Sequence, residues 1–234
     1  MSDLPYVVIH MGVTIDGRVS GELVDKANWD EYAKIGINYK ADAFGLGKTT
    51  MKAFTGDFYP DLSKFAGKNT LAKNDNIAKY PAGTKYMIVF DRKGSLGYEP
   101  EKIYSDTYYK KFCGDSKLLI VLTEQAKDEY LAYLQSIKLP YIIAGKEDMD
   151  LKLALKKLKK EFGVNKLIFE GGPTVNESFE KADLIDEFSL VYVPLIGGKD
   201  GKLLCGDAVF REFEFAEHKT LPDKNIWVTL KRKK

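Results

Sequence analysis

Cysteine, histidine and tryptophan are scarce: two of each in 234 residues. Cys113 and Cys205 stand far apart, in KFCGDS and LLCGDA, with no Cys-x-x-Cys pair and only His10 and His218 available to join them. That scarcity argues against a zinc site and against a disulfide scaffold, each of which needs several suitably spaced ligands or thiols. No metal is expected, and both cysteines read as ordinary thiols. His10 lies inside an apolar strand pattern, as packed core or as the wall of a site, and His218 reads as surface strand. An excess of charge of one sign is also missing, since 36 Lys and Arg against 34 Asp and Glu leave +2. Such balance lacks the electrostatic footprint of a nucleic-acid or membrane-surface binder. The one dense basic run, the terminal KRKK, reads as a solvated tail, because phosphate-backbone binding takes more cations. No apolar run of about 18 residues could span a bilayer. The opening MSDLPYVVIHMG lacks the charged segment and removable apolar stretch of a leader, so the expected location is the cytoplasm.

What the chain does have is a 44% hydrophobic content, enough for a substantial core, and a single domain over residues 1–234 is expected. Strand-length apolar runs alternate with amphipathic helices, the pattern of an α/β protein with a mostly parallel central sheet and helices on both faces. Residues 6–13 (YVVIHMGV) read as a strand buried on both faces, followed by a turn pivoting on Asp16-Gly17. Residues 28–39 can be helical, 41–46 a short strand and 48–54 a short helix. Residues 55–83 are rich in turn formers yet carry Phe and Tyr; so long an irregular stretch is expected to be a functional loop or lid whose aromatics dock onto something. Strands recur at KYMIVF, KLLIVL, PYIIA and KLIFE, with helices over 124–137 and 150–162. The second helix puts Leu151, Ala154, Leu155, Leu158 and Phe162 on one stripe and stops at Gly163. After a helix beginning near Pro173, three runs with two-residue alternation and hairpin-like connections predict antiparallel C-terminal strands.

The stretch ADAFGLGKTT, residues 41–50, resembles a phosphate-binding loop. A P-loop needs a glycine five positions before its Gly-Lys-Thr, so that backbone N–H groups can curl around the phosphates. Here that position holds Asp42, whose carboxylate would repel a phosphate. Asp91, at the end of YMIVFD, could still stand for a magnesium-holding aspartate, so a P-loop nucleotide hydrolase stays open as an alternative. A non-catalytic nucleotide-binding protein is the other alternative. A glycine-rich turn leading from a strand into a helix presents N–H groups and partial positive charge to any phosphate, including a dinucleotide's. In the later run LIFEGGPTVNESF a strand ends at Glu170, two glycines follow, and Pro173 opens a helix in its favoured first turn.

The run EGGPTVNESF...ADLIDEFSLVYVPLIGG, together with the opening MGVTIDGRVSG, resembles the reductase domain of riboflavin biosynthesis, a dihydrofolate-reductase-like family. The likeness continues through ADAFGLGKTT, MIVFDRKGSL, LLIVLTEQA and LPYIIAG in the family's order. It implies a dihydrofolate-reductase-like fold and NADPH as cofactor. Gly45, Gly47, Lys48, Thr49 and Thr50 would approach the adenosine half and its phosphates. Arg92 would meet the 2′-phosphate, which its fork suits. Gly171, Gly172 and Thr174 would meet the pyrophosphate and nicotinamide side, with Glu170 shaping the turn. The implied reaction is hydride transfer to a small molecule, the ring-opened ribosylamino side chain of a pyrimidine phosphate, giving ribitylamino. Asp16 would be the catalytic polar group, flanked at the substrate by Thr14 and Arg18. A homodimer paired through late strands is expected. Three features depart from the family: arginine in the usual place of lysine at position 18, no arginine in MKAFTGDFYPDLSKF for the substrate's phosphate, and no zinc-deaminase motifs. A free-standing reductase is therefore expected, acting on the diamino-pyrimidinone before deamination, on the uracil after a separate deaminase, or on a related pterin, carbonyl or imine; Lys52 or Lys64 could take the place of the missing arginine.

Overall fold

Apolar runs buried on both faces must lie inside a sheet covered by helices, and the structure, a computed structural model describing residues 2–67 and 73–233, shows this arrangement. In chain order the elements are β1 (Tyr6–Thr14), α1 (Leu23–Lys26), α2 (Asp30–Asn38), β2 (Ala43–Gly47), α3 (Lys48–Thr55), a 3-10 turn (Leu62–Phe65) and β3 (Tyr86–Phe90). There follow α4 (Pro100–Ser105), α5 (Thr107–Cys113), β4 (Lys117–Leu122), α6 (Asp128–Ser136), β5 (Tyr141–Ile143), α7 (Leu151–Phe162) and β6 (Lys166–Phe169). The chain ends with α8 (Pro173–Lys181), β7 (Glu187–Val193), β8 (Phe213–Thr220) and β9 (Ile226–Arg232). The described residues group into two compact units, one within 1–5 and 42–165, the other within 6–41 and 166–234.

The first unit carries strands in the order β5-β4-β3-β2, each pair parallel. Ile88, Leu119, Ile120 and Val121 are wholly buried, as strands covered on both faces require. Helix α7 buries the predicted stripe of Leu151, Ala154, Leu155, Leu158 and Phe162; Asp150 caps it by accepting from the Leu153 amide at 2.8 Å, and Gly163 ends it with φ +68°. Residues 91–116, given no element by the sequence reading, hold α4 and α5. Their local signals are Pro100 in the first turn of α4 and Asp106, which accepts from the Tyr109 amide at 2.7 Å, before α5. The 55–83 stretch docks where it is described, residues 68–72 lying outside the described residues. The Phe65 ring meets Tyr133 edge-on at 6.0 Å, and the Phe58 carbonyl accepts from the Gly97 amide at 2.9 Å. Asn76 exchanges backbone hydrogen bonds with Tyr141, while Asp75 accepts from the Ile143 amide at 2.7 Å, so this segment covers the open edge of β5.

The second unit has the order β6-β1-β7-β9-β8. Strand β1 is parallel to β6 and β7, whereas β9 is antiparallel to both β7 and β8. Only the β8–β9 connection is a hairpin; the expected hairpin between the first two late runs does not form, because β9 separates β7 from β8. Residues 194–212 instead satisfy their backbone on the turn after β1. Ile15 N–H donates to Leu195 O at 3.0 Å, Val19 N–H to Lys202 O at 2.9 Å and Leu204 N–H to Gly17 O at 3.0 Å. Further along, Arg211 donates to Glu180 Oε1 at 3.0 Å and Val209 N–H to Glu180 Oε2 at 3.0 Å, fastening the segment to α8. Strand β8, with His218, is exposed along nearly its whole length, and Phe215 keeps 77% of its surface in solvent. Among the described residues no helix is long and apolar enough to cross a membrane.

Candidate functional site

Parallel strands place ligand-binding loops beyond their carboxyl ends. In the first unit β2 runs directly into α3. Gly47 is an extended N-cap (φ −80°, ψ 161°) with no side-chain cap bond, a helix start that favours an anion. Gly45 and Gly47 are buried in the strand, Lys48 and Thr49 are exposed, and Thr50 is half-buried. Gly47 pairs with Phe90, so Lys48 comes level with Asp91, and its Nζ donates to Ser95 Oγ at 3.2 Å. Asp91 is buried and its Oδ2 accepts from the amides of Ser95 at 2.7 Å and Leu96 at 3.1 Å. A carboxylate so committed to its own turn is poorly disposed to hold magnesium, which weighs against the P-loop alternative. The Arg92 carbonyl accepts from Thr123 N at 2.9 Å and Oγ1 at 2.8 Å, and its guanidinium pairs with Asp148. Lys52, one of the two lysines in the segment that lacks an arginine, is paired with Asp57 at 2.6 Å.

In the second unit, Phe169 at the end of β6 lies beside Ile9, and Glu170, Gly171 and Gly172 lead into α8 with Pro173 in its first turn. Gly171 has φ +84°, and a Cβ there would lie 2.8 Å from Met11 Sδ. The Gly171–Gly172 peptide is cis. Gly172 caps α8 without a side-chain bond; Pro173 has no N–H, and the Val175 and Asn176 amides donate to the Gly172 carbonyl at 3.0 and 3.1 Å, which leaves the Thr174 amide to face a ligand. Asn176 is fully buried with neither Oδ1 nor Nδ2 hydrogen-bonded, and its Nδ2 is 3.8 Å from where the Gly171 Cβ would stand. A buried amide left unpaired is costly unless something supplies a partner. Gly171 thus makes room for Met11, and the orphaned Asn176 amide beside it fits a polar ligand group at the α8 start.

Glu170 reaches back into the space that Gly36 leaves open on α2. Its Oε1 lies 3.3 Å from the point a Gly36 Cβ would occupy, and His10 Nε2 lies 3.6 Å from the same point. Glu170 as a whole is half-buried, but its carboxyl is withdrawn from water there, which pushes it up to about 7. His10 is wholly buried, stacked on Tyr32 at 4.0 Å, and burial pulls it down to about 4. Trp227 Nε1 donates to Ser189 Oγ at 2.9 Å, Ser189 Oγ is 3.0 Å from His10 Nδ1, and His10 Nε2 is 3.0 Å from the Tyr32 carbonyl. With Nε2–H donating to the Tyr32 carbonyl, Nδ1 accepts from the Ser189 hydroxyl and lies 3.1 Å from the Ser189 carbonyl as well. His10 is thus packed core.

Four residues beyond His10, about 13 Å further along β1, Thr14 ends the strand. Its Oγ1 donates to Asp16 Oδ1 at 2.6 Å and accepts from the Arg18 amide at 2.9 Å. Asp16 also accepts from Gly197 N–H at 2.8 Å and from Arg18 Nε at 2.9 Å. The Thr14 hydroxyl first, then the Gly197 amide, hold its carboxyl down at about 2, so it stays ionised. Arg18 in turn donates to the Gly201 carbonyl. Cys205 is half-buried, and burial pushes its thiol up to about 12, the behaviour of an ordinary thiol.

Each unit therefore gathers its own share of the expected residues along one carboxyl edge: Gly45, Gly47, Lys48, Thr49, Thr50 and Arg92 in the first, Thr14, Asp16, Arg18, Glu170, Gly171, Gly172 and Thr174 in the second. Sequence reasoning missed Asn176 and Asp148. Asn176 had a signal: with Phe179 and Glu180 it falls at i, i+3 and i+4 on the buried face of α8, a polar residue in a core position. Asp148 had none, since its pairing with Arg92 spans 56 residues.

A mostly parallel sheet flanked by helices, closed by antiparallel C-terminal strands and bearing glycine-capped helix starts, defines a dihydrofolate-reductase-like α/β protein. The model of the RibD C-terminal domain family matches residues 5–227, and the chain belongs to that family. It is 25% identical over 204 residues to the 2,5-diamino-6-ribosylamino-4(3H)-pyrimidinone 5′-phosphate reductase of Methanothermobacter thermautotrophicus, covering 86% of this chain and 83% of that protein. The reductase of the same name from Archaeoglobus fulgidus is 28% identical over 211 residues, 88% of each chain. Among solved structures, a pyrimidine reductase-like protein from Corynebacterium diphtheriae superposes with a TM-score of 0.71 at 16% identity, covering 98% of this chain and 92% of that one, a likeness of fold. Membership is family-level evidence for a reductase-like enzyme of riboflavin biosynthesis.

Proposed function

We propose that residues 1–234 act as one NADPH-dependent reductase domain that converts the ribosylamino side chain of a pyrimidine phosphate to ribitylamino. The substrate class follows the curated relatives, whose names specify a 2,5-diamino-6-ribosylamino-pyrimidinone 5′-phosphate. The observation that carries the reading is the turn Glu170–Gly171–Gly172 at the start of α8, with its orphaned Asn176 amide and a carboxyl that titrates near neutrality. In this reading Gly171, Gly172 and Thr174 receive the pyrophosphate and nicotinamide side, while Gly45, Gly47, Lys48, Thr49 and Thr50 receive the adenosine half and its phosphates. Arg92 takes the 2′-phosphate. The bound cofactor supplies the hydride, so what remains for the chain is orientation.

Reduction of a C=N bond consumes one hydride at carbon and one proton at nitrogen. Glu170, its carboxyl turned toward Gly36 and His10, shapes the turn, and the proton is drawn from bulk water. Asp16, locked as a carboxylate, suits the acceptor role toward the substrate's sugar hydroxyls, with Thr14 and Arg18 fixing its angle. The exposed edge strand β8, with Phe215 in solvent and Phe210 exposed in the segment before it, supports a homodimer paired through the late strands. Calorimetric titration of the protein with NADPH and with MgATP tests the reading: heat with NADPH alone supports it, and heat with MgATP alone contradicts it in favour of the P-loop hydrolase.

A further inference from the structure

We infer that Asp148 is a specificity-determining residue: paired with Arg92, it holds down the preference of the cofactor site for a 2′-phosphate over a 2′-hydroxyl. The inference rests on the proposed role of Arg92 and adds to it. Arg92 follows β3 and Asp148 follows β5, on the carboxyl edge of three consecutive parallel strands. Both loops are fixed by backbone bonds. The Arg92 carbonyl is gripped by Thr123, as described above. The loop bearing Asp148 closes tightly: Glu124 N–H donates to Gly145 O at 3.0 Å and Asp150 N–H to Ala144 O at 3.1 Å. Gly145 has φ +101°, and a Cβ on it would fall 2.0 Å from the Asp148 carbonyl, so only glycine allows this turn. A tight turn thus holds the backbone that carries Asp148, and its carboxylate meets the Arg92 guanidinium at the surface.

The two groups have opposite ligand chemistry. A guanidinium fork suits a phosphate dianion, whereas a carboxylate accepts a hydrogen bond from a ribose 2′-hydroxyl. A 2′-phosphate must therefore displace Asp148 from Arg92 and remain near a like charge, while a 2′-hydroxyl finds its acceptor in place. An exposed pair of this kind is worth about a two- to fivefold change in affinity. Asp148 keeps 87% of its side chain in solvent, so Asp148→Asn leaves packing untouched.

The test is calorimetric measurement of the dissociation constants of NADP+ and NAD+ at fixed ionic strength for the unaltered protein, Asp148→Asn, Arg92→Ala and the double variant. Asp148→Asn is expected to raise the preference for NADP+ about two- to fivefold, and the same substitution on the Arg92→Ala background is expected to raise it by a smaller factor. A preference unchanged or lowered by Asp148→Asn, or raised equally on both backgrounds, overturns the inference while leaving the reductase reading intact. Failure of the unaltered protein to bind either nucleotide overturns both.

Discussion

Replacing Glu170 by Gln removes a carboxyl that burial holds at about 7 against an ordinary 4.5. A folded pKa above the unfolded one means the native state binds the extra proton. The carboxyl therefore burdens the fold little in acid and increasingly as pH rises from 4.5 through 7, to a plateau above. Linkage with these two values gives a burden of about 1 kcal/mol at pH 5 and about 3 kcal/mol at pH 8. Glutamine carries no charge to desolvate, so the stability of Glu170→Gln relative to the unaltered protein should shift in the variant's favour by about 2–3 kcal/mol between these pH values. Urea unfolding of both proteins at pH 5 and pH 8 reads the difference directly. A stability difference that stays the same at both pH values would refute the assignment of a raised carboxyl.

Arg92→Ala should lower the preference for NADPH over NADH by about one to two powers of ten, the scale of a lost charged hydrogen bond; equal loss with both cofactors in binding titrations would contradict its placement. Asp16→Asn should cut turnover at least about tenfold, on the scale of a lost charge-assisted contact, while NADPH binding measured by calorimetry is retained; a fully active variant removes Asp16 from the reaction. Arg211→Ala strips the guanidinium from Glu180, whose side chain is only 5% exposed, and should cost about 3 kcal/mol in urea unfolding. A loss within about 0.5 kcal/mol would show the pair to be idle.

How legible each part is depends on the range of the interactions that make it. KLLIVL reads as β4 because a buried parallel strand needs only a continuous apolar run. The α7 stripe, its Asp150 cap and its Gly163 stop are all local. Helices α4 and α5 are short and wrapped in tyrosines, so their period is blurred, although Pro100 and Asp106 mark their starts. The path of residues 194–212 escapes local reading because its hydrogen bonds go to the turn after β1 and to α8, far away in sequence. The glycine turns of the candidate site are visible in the letters. The environment of Glu170 is not: its raised carboxyl depends on Gly36 and His10, which β1 and α2 bring beside it through the fold. Asp16 shows the converse, a turn residue visible as Asp-Gly whose three donors, one of them the distant Gly197 amide, emerge only in three dimensions.

The most direct measurement is the absorbance of NADPH mixed with the protein and 2,5-diamino-6-ribosylamino-4(3H)-pyrimidinone 5′-phosphate. Steady, protein-dependent oxidation of the cofactor is expected, with one ribitylamino product formed per NADPH consumed. A protein that binds NADPH yet leaves its absorbance unchanged with this substrate and with its deaminated counterpart would contradict the proposed reaction.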